Sequence, residues 1–124
     1  MDPSQIANVF VKQYYDTFDK NRPDVVGLYH PQTCVLTFEG QVCSGKEEIM
    51  KKLTSLAFTN IQHVITTVDA QPTYDDMIVV FVVGQLKTDE DNPHSFSQTF
   101  VLKKEADNRL YVVNDMFRLS LHHG

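Results

Sequence analysis

A chain of 124 residues, 42% hydrophobic and 22% charged, is one domain's worth of sequence with enough apolar content for a single core, which argues against disorder. A net charge of −5, with no cationic run longer than Lys51-Lys52 or Lys103-Lys104, lacks the basic footprint of a nucleic-acid binder. No apolar run approaches the ~20 residues of a membrane helix, and Met1-Asp2-Pro3-Ser4-Gln5 has neither the basic flank nor the apolar stretch of a signal peptide. The expectation is one soluble intracellular domain over residues 1–124 that binds protein partners, without nucleic acid or membrane.

Asp2, Pro3 and Gln5 stand at N-cap, N1 and N3 of a first helix, whose apolar face follows the spacing of Ile6, Val9, Phe10, Tyr14 and Phe18 and which ends near Asp19-Lys20-Asn21. Pro23 opens a short second helix, Asp24 to Leu28, and Pro31 closes that segment. Cys34 to Glu39 reads as a strand, Gly40 as a turn and Gln41 to Cys43 as a second short strand. Ser44-Gly45-Lys46-Glu47 fits a capping box for a third helix carrying Ile49, Leu53 and Leu56 on one face. Cys34 and Cys43 are expected to be reduced, buried thiols.

From residue 60 the periodicity changes to that of strands. Asn60 to Ala70 is rich in β-branched residues, Gln71 to Asp76 is a turn, and Met77 to Lys87 is nearly all apolar. Asp89 to Pro93 is a loop; Phe96, Gln98, Phe100 and Leu102 then alternate with polar Ser97 and Thr99. Asp107-Asn108 turns the chain into a last strand, Leu110 to about Leu121. Helices first and long strands afterwards, joined by turns too short for crossover helices, give an α+β domain: three N-terminal helices on a curved, mainly antiparallel sheet.

Such a layer encloses a pocket, and the titratable candidates for catalysis in it are Tyr14, Tyr15, His30, His63, Asp69 and Asp115. His63 shares a strand face with Ile61, Ile65 and Thr67 and fits a hydrogen-bonded structural histidine better than a base. Asp115 and Arg118, three apart on a strand, face opposite sides, and a structural ion pair with some other partner is expected for Asp115. His122-His123 adjoins the C-terminus, no His/Cys/Asp spacing matches a zinc or iron site, and there is no P-loop, dinucleotide fingerprint or nucleophile motif. No cofactor, metal or catalytic residue is expected. The acidic run Asp89-Glu90-Asp91, together with Phe38 beside Glu39 and with Phe58, suits an aromatic anchor flanked by Lys or Arg on a partner.

Tyr14-Tyr15 with Phe18-Asp19, Leu36-Thr37-Phe38-Glu39-Gly40, Ile61-Gln62-His63, Val83-Gly84-Gln85-Leu86-Lys87, Asp89-Glu90-Asp91 and Asn114-Asp115-Met116-Phe117-Arg118-Leu119 occur in this order. Over nearly its whole length the chain resembles the nuclear transport factor 2 family. The resemblance implies a cone with an apolar cavity and a homodimer joined through its sheets. It also implies carriage of the GDP form of the small GTPase Ran through the pore by way of Phe-repeat nucleoporins, and residence in cytoplasm and nucleus with enrichment at the nuclear envelope. An aromatic side chain of Ran is expected in the cavity and its basic residues at the rim, which matches Glu39, Asp89 and Asp91, with Phe38 and Phe58 beside the cavity. His63 and Met116 fall on cavity or dimer positions. The chain departs from the family at Pro3-Ser4-Gln5-Ile6, where an aromatic often helps form the nucleoporin slot, at His94-Ser95, which replaces more apolar residues, and at Phe38, where some members carry tryptophan. Two rivals stand beside this reading: an isomerase or dehydratase on the same cone, and an adaptor module with another cargo.

Overall fold

The computed structural model describes residues 2–120; Leu121, the expected end of the last strand, and the pair His122-His123 lie outside them. Helix α1 (Pro3–Lys20) starts as its sequence dictates. Asp2 accepts the amide of Gln5, the Gln5 side chain answers the Asp2 amide, and Pro3 fills the first turn. Its buried face presents Ala7, Phe10, Val11, Tyr14, Tyr15 and Phe18. The expected second helix is a 3₁₀ helix, Arg22–Leu28, that buries Val25 and Val26. Strands β1 (Val35–Phe38) and β2 (Gln41–Ser44) form a hairpin, and helix α2 (Gly45–Thr54) follows with Ile49 and Leu53 inward.

The capping box expected at Ser44 is not formed. The Ser44 side chain caps nothing, and its backbone amide is taken by Glu48 Oε1 at 3.2 Å. Gly45 holds a left-handed backbone (φ 84°), so the helical phase begins a residue late and brings Glu48, not Glu47, within reach. Leu56 lies beyond the helix, in the connection to β3.

Four long strands complete the chain: β3 (Ile61–Pro72), β4 (Met77–Thr88), β5 (His94–Lys104) and β6 (Leu110–Leu119). The sheet order is β2-β1-β6-β5-β4-β3, antiparallel throughout except where β1 runs parallel to β6. Irregular register between Ile65 and Thr67 and between Val101 and Leu102 bends the sheet around the helices. Gly84 sits under the first of these bends. A Cβ there would lie 2.5 Å from the Val64 carbonyl oxygen, so only glycine admits this approach of β3 to β4.

The inner face carries the core, with Leu36, Val80, Val82, Phe96, Phe100, Leu102 and Val112 against Phe10, Tyr14, Tyr15 and Phe18 of α1. Among the described residues no helix covers the outer face. One cross-strand row on that face runs Val42, Thr37, Met116, Thr99, Phe81 and Asp69. Within this row Val42 is 61% exposed, Met116 54% and Phe81 43%. Cys34 and Cys43 are buried free thiols, and burial pushes the Cys34 thiol up.

Candidate functional site

Because the sheet curls, the inner face does not close at the end formed by the β1–β2 and β4–β5 turns. A cavity of about 320 Å³ remains there, walled by Phe18, Leu36, Phe38, Leu53, Leu56, Phe58, Ile61, Leu86, Phe117 and Leu119. Strand register orders it by depth. Leu119 and Phe96 form a row near the mouth; Phe38, Phe117 and Gln98 form the next; Leu36, Asp115 and Phe100 lie below. From Leu119 to Asp115 is four residues, roughly 13 Å of strand. Phe38 and Phe117, both lining the cavity, stack with centroids 4.7 Å apart, and the fully buried Phe96 backs Phe117 at 5.6 Å.

The floor is polar. Asp115 is fully buried, with Oδ2 accepting from the Tyr29 hydroxyl at 2.5 Å and more weakly from Tyr14 at 3.5 Å, and Oδ1 accepting from Gln98 Nε2 at 2.8 Å. Tyr14 and Tyr29 share a hydroxyl contact of 2.7 Å, and the Tyr15 hydroxyl donates to Gln98 Oε1 at 2.5 Å. Burial raises the Asp115 carboxyl to about 6, against the opposing effect of the donors from Tyr29, Gln98 and Tyr14. Burial and the Asp115 charge push Tyr14 and Tyr29 well above the usual phenol range. The ion pair expected for Asp115 is therefore absent among the described residues: its partners are hydroxyls and an amide, because its side of β6 faces the core. Arg118, on the opposite side, lies over Gly40, where a Cβ would be 3.2 Å from its Nη2.

At the mouth, two charged side chains hold the connection between α2 and β3. Arg22 donates from Nη1 to the Leu53 carbonyl at 3.1 Å and from Nη2 to the Phe58 carbonyl at 3.0 Å. Its guanidinium carbon lies 4.2 Å from the Phe58 ring centroid, a cation–π contact that sets that ring. From the other side Asp89 accepts the amide of Asn60 at 2.8 Å and that of Thr59 at 3.2 Å.

Residues 6–119 match the family model described as "Nuclear transport factor 2 (NTF2) domain". A rice protein (Oryza sativa subsp. japonica) named nuclear transport factor 2 is 48% identical over 122 residues, covering 97% of this chain and 98% of its own. Nuclear transport factor 2B of Arabidopsis thaliana is 44% identical, covering 97% and 96%. The solved structure of nuclear transport factor 2 from Cryptosporidium parvum superposes with a TM-score of 0.89 at 41% identity, over 94% of each chain.

The chain belongs to the nuclear transport factor 2 family. These relatives carry the names of transport factors rather than of enzymes, and the α+β cone expected from the resemblance is the fold observed.

Against that frame the candidate residues separate. Phe38, Phe58, His63 and Asp91 all line the cavity. Glu39 stands at the β1–β2 turn beside it with φ 51°, a conformation that disfavours glutamate. Its Oε1 accepts the Leu119 amide at 2.5 Å. Asp89 also has positive φ (48°) and is turned away from the cavity to clamp Thr59 and Asn60. No carboxylate of Glu39, Asp89 or Asp91 has a cationic partner within 4 Å among the described residues, although the Lys87 ammonium donates to the Asp89 backbone carbonyl at 3.2 Å. Met116 is not a cavity residue; it lies on the outer sheet face. His63 is held by Asp19, which accepts its backbone amide at 2.9 Å and bonds ring Nδ1 at 2.6 Å, while Tyr15 lies 4.7 Å from the ring. His30 is remote from the site: Nδ1 accepts the amides of Gln32 and Thr33, and Nε2 meets Glu105 at 2.9 Å.

Sequence reasoning missed Arg22, Asp19, Tyr29 and the function of Gln98. Of these only Gln98 left a signal, as the single polar residue in an otherwise apolar inward series.

Proposed function

We propose that this chain is a nuclear import factor that binds the GDP form of Ran at the cavity mouth and carries it through nuclear pores by binding Phe-repeat nucleoporins. The observation that carries the reading is an aromatic-walled cavity opening beside carboxylates that have no ion-pair partner among the described residues, in a member of the nuclear transport factor 2 family. An aromatic anchor from the partner gains apolar burial between Phe38 and Phe58, while Lys or Arg beside that anchor meets Asp91 and Glu39. The strained backbone at Glu39 supports a role for its carboxylate beyond folding, since residues held at positive φ concentrate at functional positions.

Two copies join through the uncovered outer sheet face, with Met116 and Phe81 on its inner strands and Val42 on the edge strand β2. Its run of exposed apolar side chains supports an interface. Residence in cytoplasm and nucleus, with enrichment at the nuclear envelope, follows from this work cycle. The reading is tested by calorimetric titration with Ran loaded with GDP and, separately, with a non-hydrolysable GTP analogue. Binding to the GDP form alone is expected; equal binding to both forms, or to neither, overturns it.

A further inference from the structure

We propose that the floor of the cavity is a binding site for small arylalkylamines, held as ammonium ions on Asp115 Oδ1. The hydrogen-bond count of the floor leads there. The Gln98 amide spends both N–H groups, one on Asp115 Oδ1 and the other on the Tyr14 hydroxyl, and its Oε1 accepts from Tyr15. Tyr29 and Tyr14 both direct their hydroxyls to Asp115 Oδ2. Oδ2 is thereby filled and the donors around the carboxyl are used, while Oδ1 takes only Gln98 and keeps an open lone pair. No cation lies within 4 Å of this carboxyl among the described residues. Its pKa of about 6 leaves it mostly ionised at pH 7.5. The floor therefore holds a buried negative charge with one acceptor to spare, on a residue that lines the cavity.

Head-group chemistry narrows the ligand. An ammonium donates and carries the opposite charge, so it answers both the acceptor and the charge. A neutral hydroxyl fills the acceptor but leaves the charge uncompensated, a carboxylate adds a second negative charge, and a hydrocarbon answers neither. A bare metal ion finds too few ligands, since no cluster of three or more His, Cys, Asp and Glu suited to one exists among the described residues. The body of the ligand is set by the walls. Phe117 is the next inward residue of β6 above Asp115, about 7 Å toward the mouth, and Phe38 stacks on it. A ring one carbon from the ammonium meets these two phenylalanines while the nitrogen reaches Oδ1. Tyr14 and Tyr15 line the same cavity and offer ring faces to the cation. A volume of about 320 Å³ lies at the small end of ligand pockets, about 300–1,000 Å³.

The test titrates the full chain with 4-methylbenzylamine, 4-methylbenzyl alcohol and 4-ethyltoluene, three probes of one shape that end in an ammonium, a hydroxyl and a methyl group. At pH 7.5 the amine is expected to bind at least about tenfold more tightly than the alcohol. Between pH 5 and pH 7.5 the ionised fraction of a carboxyl at about 6 rises about tenfold, and the amine is expected to gain by that factor while 4-ethyltoluene gains nothing. His63, His94 and Asp91 also line the cavity, so Asp115→Asn is titrated at both pH values to separate their contribution. In that variant the amine's advantage over the alcohol is expected to vanish. If the variant fails to fold, the carboxyl carbon resonance of Asp115 in the unaltered chain decides. Saturation with the amine should lower its titration midpoint by about one pH unit or more, the linkage counterpart of a tenfold preference for the ionised form. An amine that binds no better than the alcohol, an advantage that persists in folded Asp115→Asn, or an unmoved Asp115 midpoint overturns the proposal.

Discussion

Replacing Asp115 by Asn isolates the cost of a buried charge. The carboxyl is displaced from 3.8 to about 6 by burial, and at about 1.4 kcal/mol per pH unit this corresponds to about 3 kcal/mol of stability lost on ionisation. The sign follows from proton uptake. Between the two values the folded chain binds more protons than the unfolded one, so stability is highest at low pH and falls as pH rises from about 4 through 6. The groups facing Asp115 are Tyr14 of α1, Tyr29 of the 3₁₀ helix and Gln98 of β5, all neutral over this range, with no cation among the described residues. Asn cannot ionise, so the unfolding free energy of Asp115→Asn relative to the parent should rise by about 2–3 kcal/mol between pH 4 and pH 7.5, the variant gaining on a parent that loses stability. Taking the difference removes the contributions of every other titrating group. At any one pH the variant also has one acceptor fewer for Tyr29 and Gln98, so only the change with pH is diagnostic. Urea titrations of both chains at matched concentration across that range measure it. Parallel pH profiles, differing by less than about 1 kcal/mol from end to end, would refute the account of the floor.

Further predictions concern the mouth and the outer face. Asp91→Lys is expected to abolish GDP-Ran binding with unfolding unchanged, because the Asp91 side chain makes no ion pair among the described residues; a folded variant that still binds contradicts this in calorimetry. Asp89→Ala should instead lower stability by about 1 kcal/mol, as loss of a helix cap does, and speed hydrogen exchange at Thr59 and Asn60. Arg22→Met removes the donors to Leu53 and Phe58 and the contact on the Phe58 ring. It should weaken partner binding through a loosened Phe58 while circular dichroism stays native, and unchanged affinity argues against a role for Arg22 in setting that ring. Phe81→Lys places a cation beside Asp69, its cross-strand neighbour, on the outer face. Sedimentation should then shift toward monomer, and an unchanged mass contradicts the sheet-to-sheet dimer.

Most of the fold is legible in local pattern. The Asp2 cap, the α1 stripe and the alternation of β5 are each fixed by neighbours within a few residues. What depends on distant partners is not. Nothing near residues 35–38 announces that β1 pairs in parallel with β6, and nothing in Ser44-Gly45-Lys46-Glu47 shows that Gly45 adopts positive φ and delays the helix. The same divide runs through the site. Phe38 and Phe58 could be read as aromatic walls, since a ring at the end of a strand or helix beside an acidic run has few other uses. The Asp115 network could not be read, because its members come from α1, the 3₁₀ helix, β5 and β6 and meet only when the sheet curls. Asp89 belongs to an acidic run that looks uniform in sequence, yet the turn geometry gives it a backbone clamp and leaves Asp91 lining the cavity.

The central claim, that the cavity mouth is where GDP-Ran docks, is tested most directly by mapping amide and side-chain resonance shifts of this chain on titration with GDP-Ran. Shifts concentrated at Phe38, Glu39, Phe58 and Asp91, with Val42, Phe81 and Met116 unmoved, are what the account predicts. Shifts confined to the outer sheet face, or an undisturbed cavity in a chain that binds Ran, would contradict it.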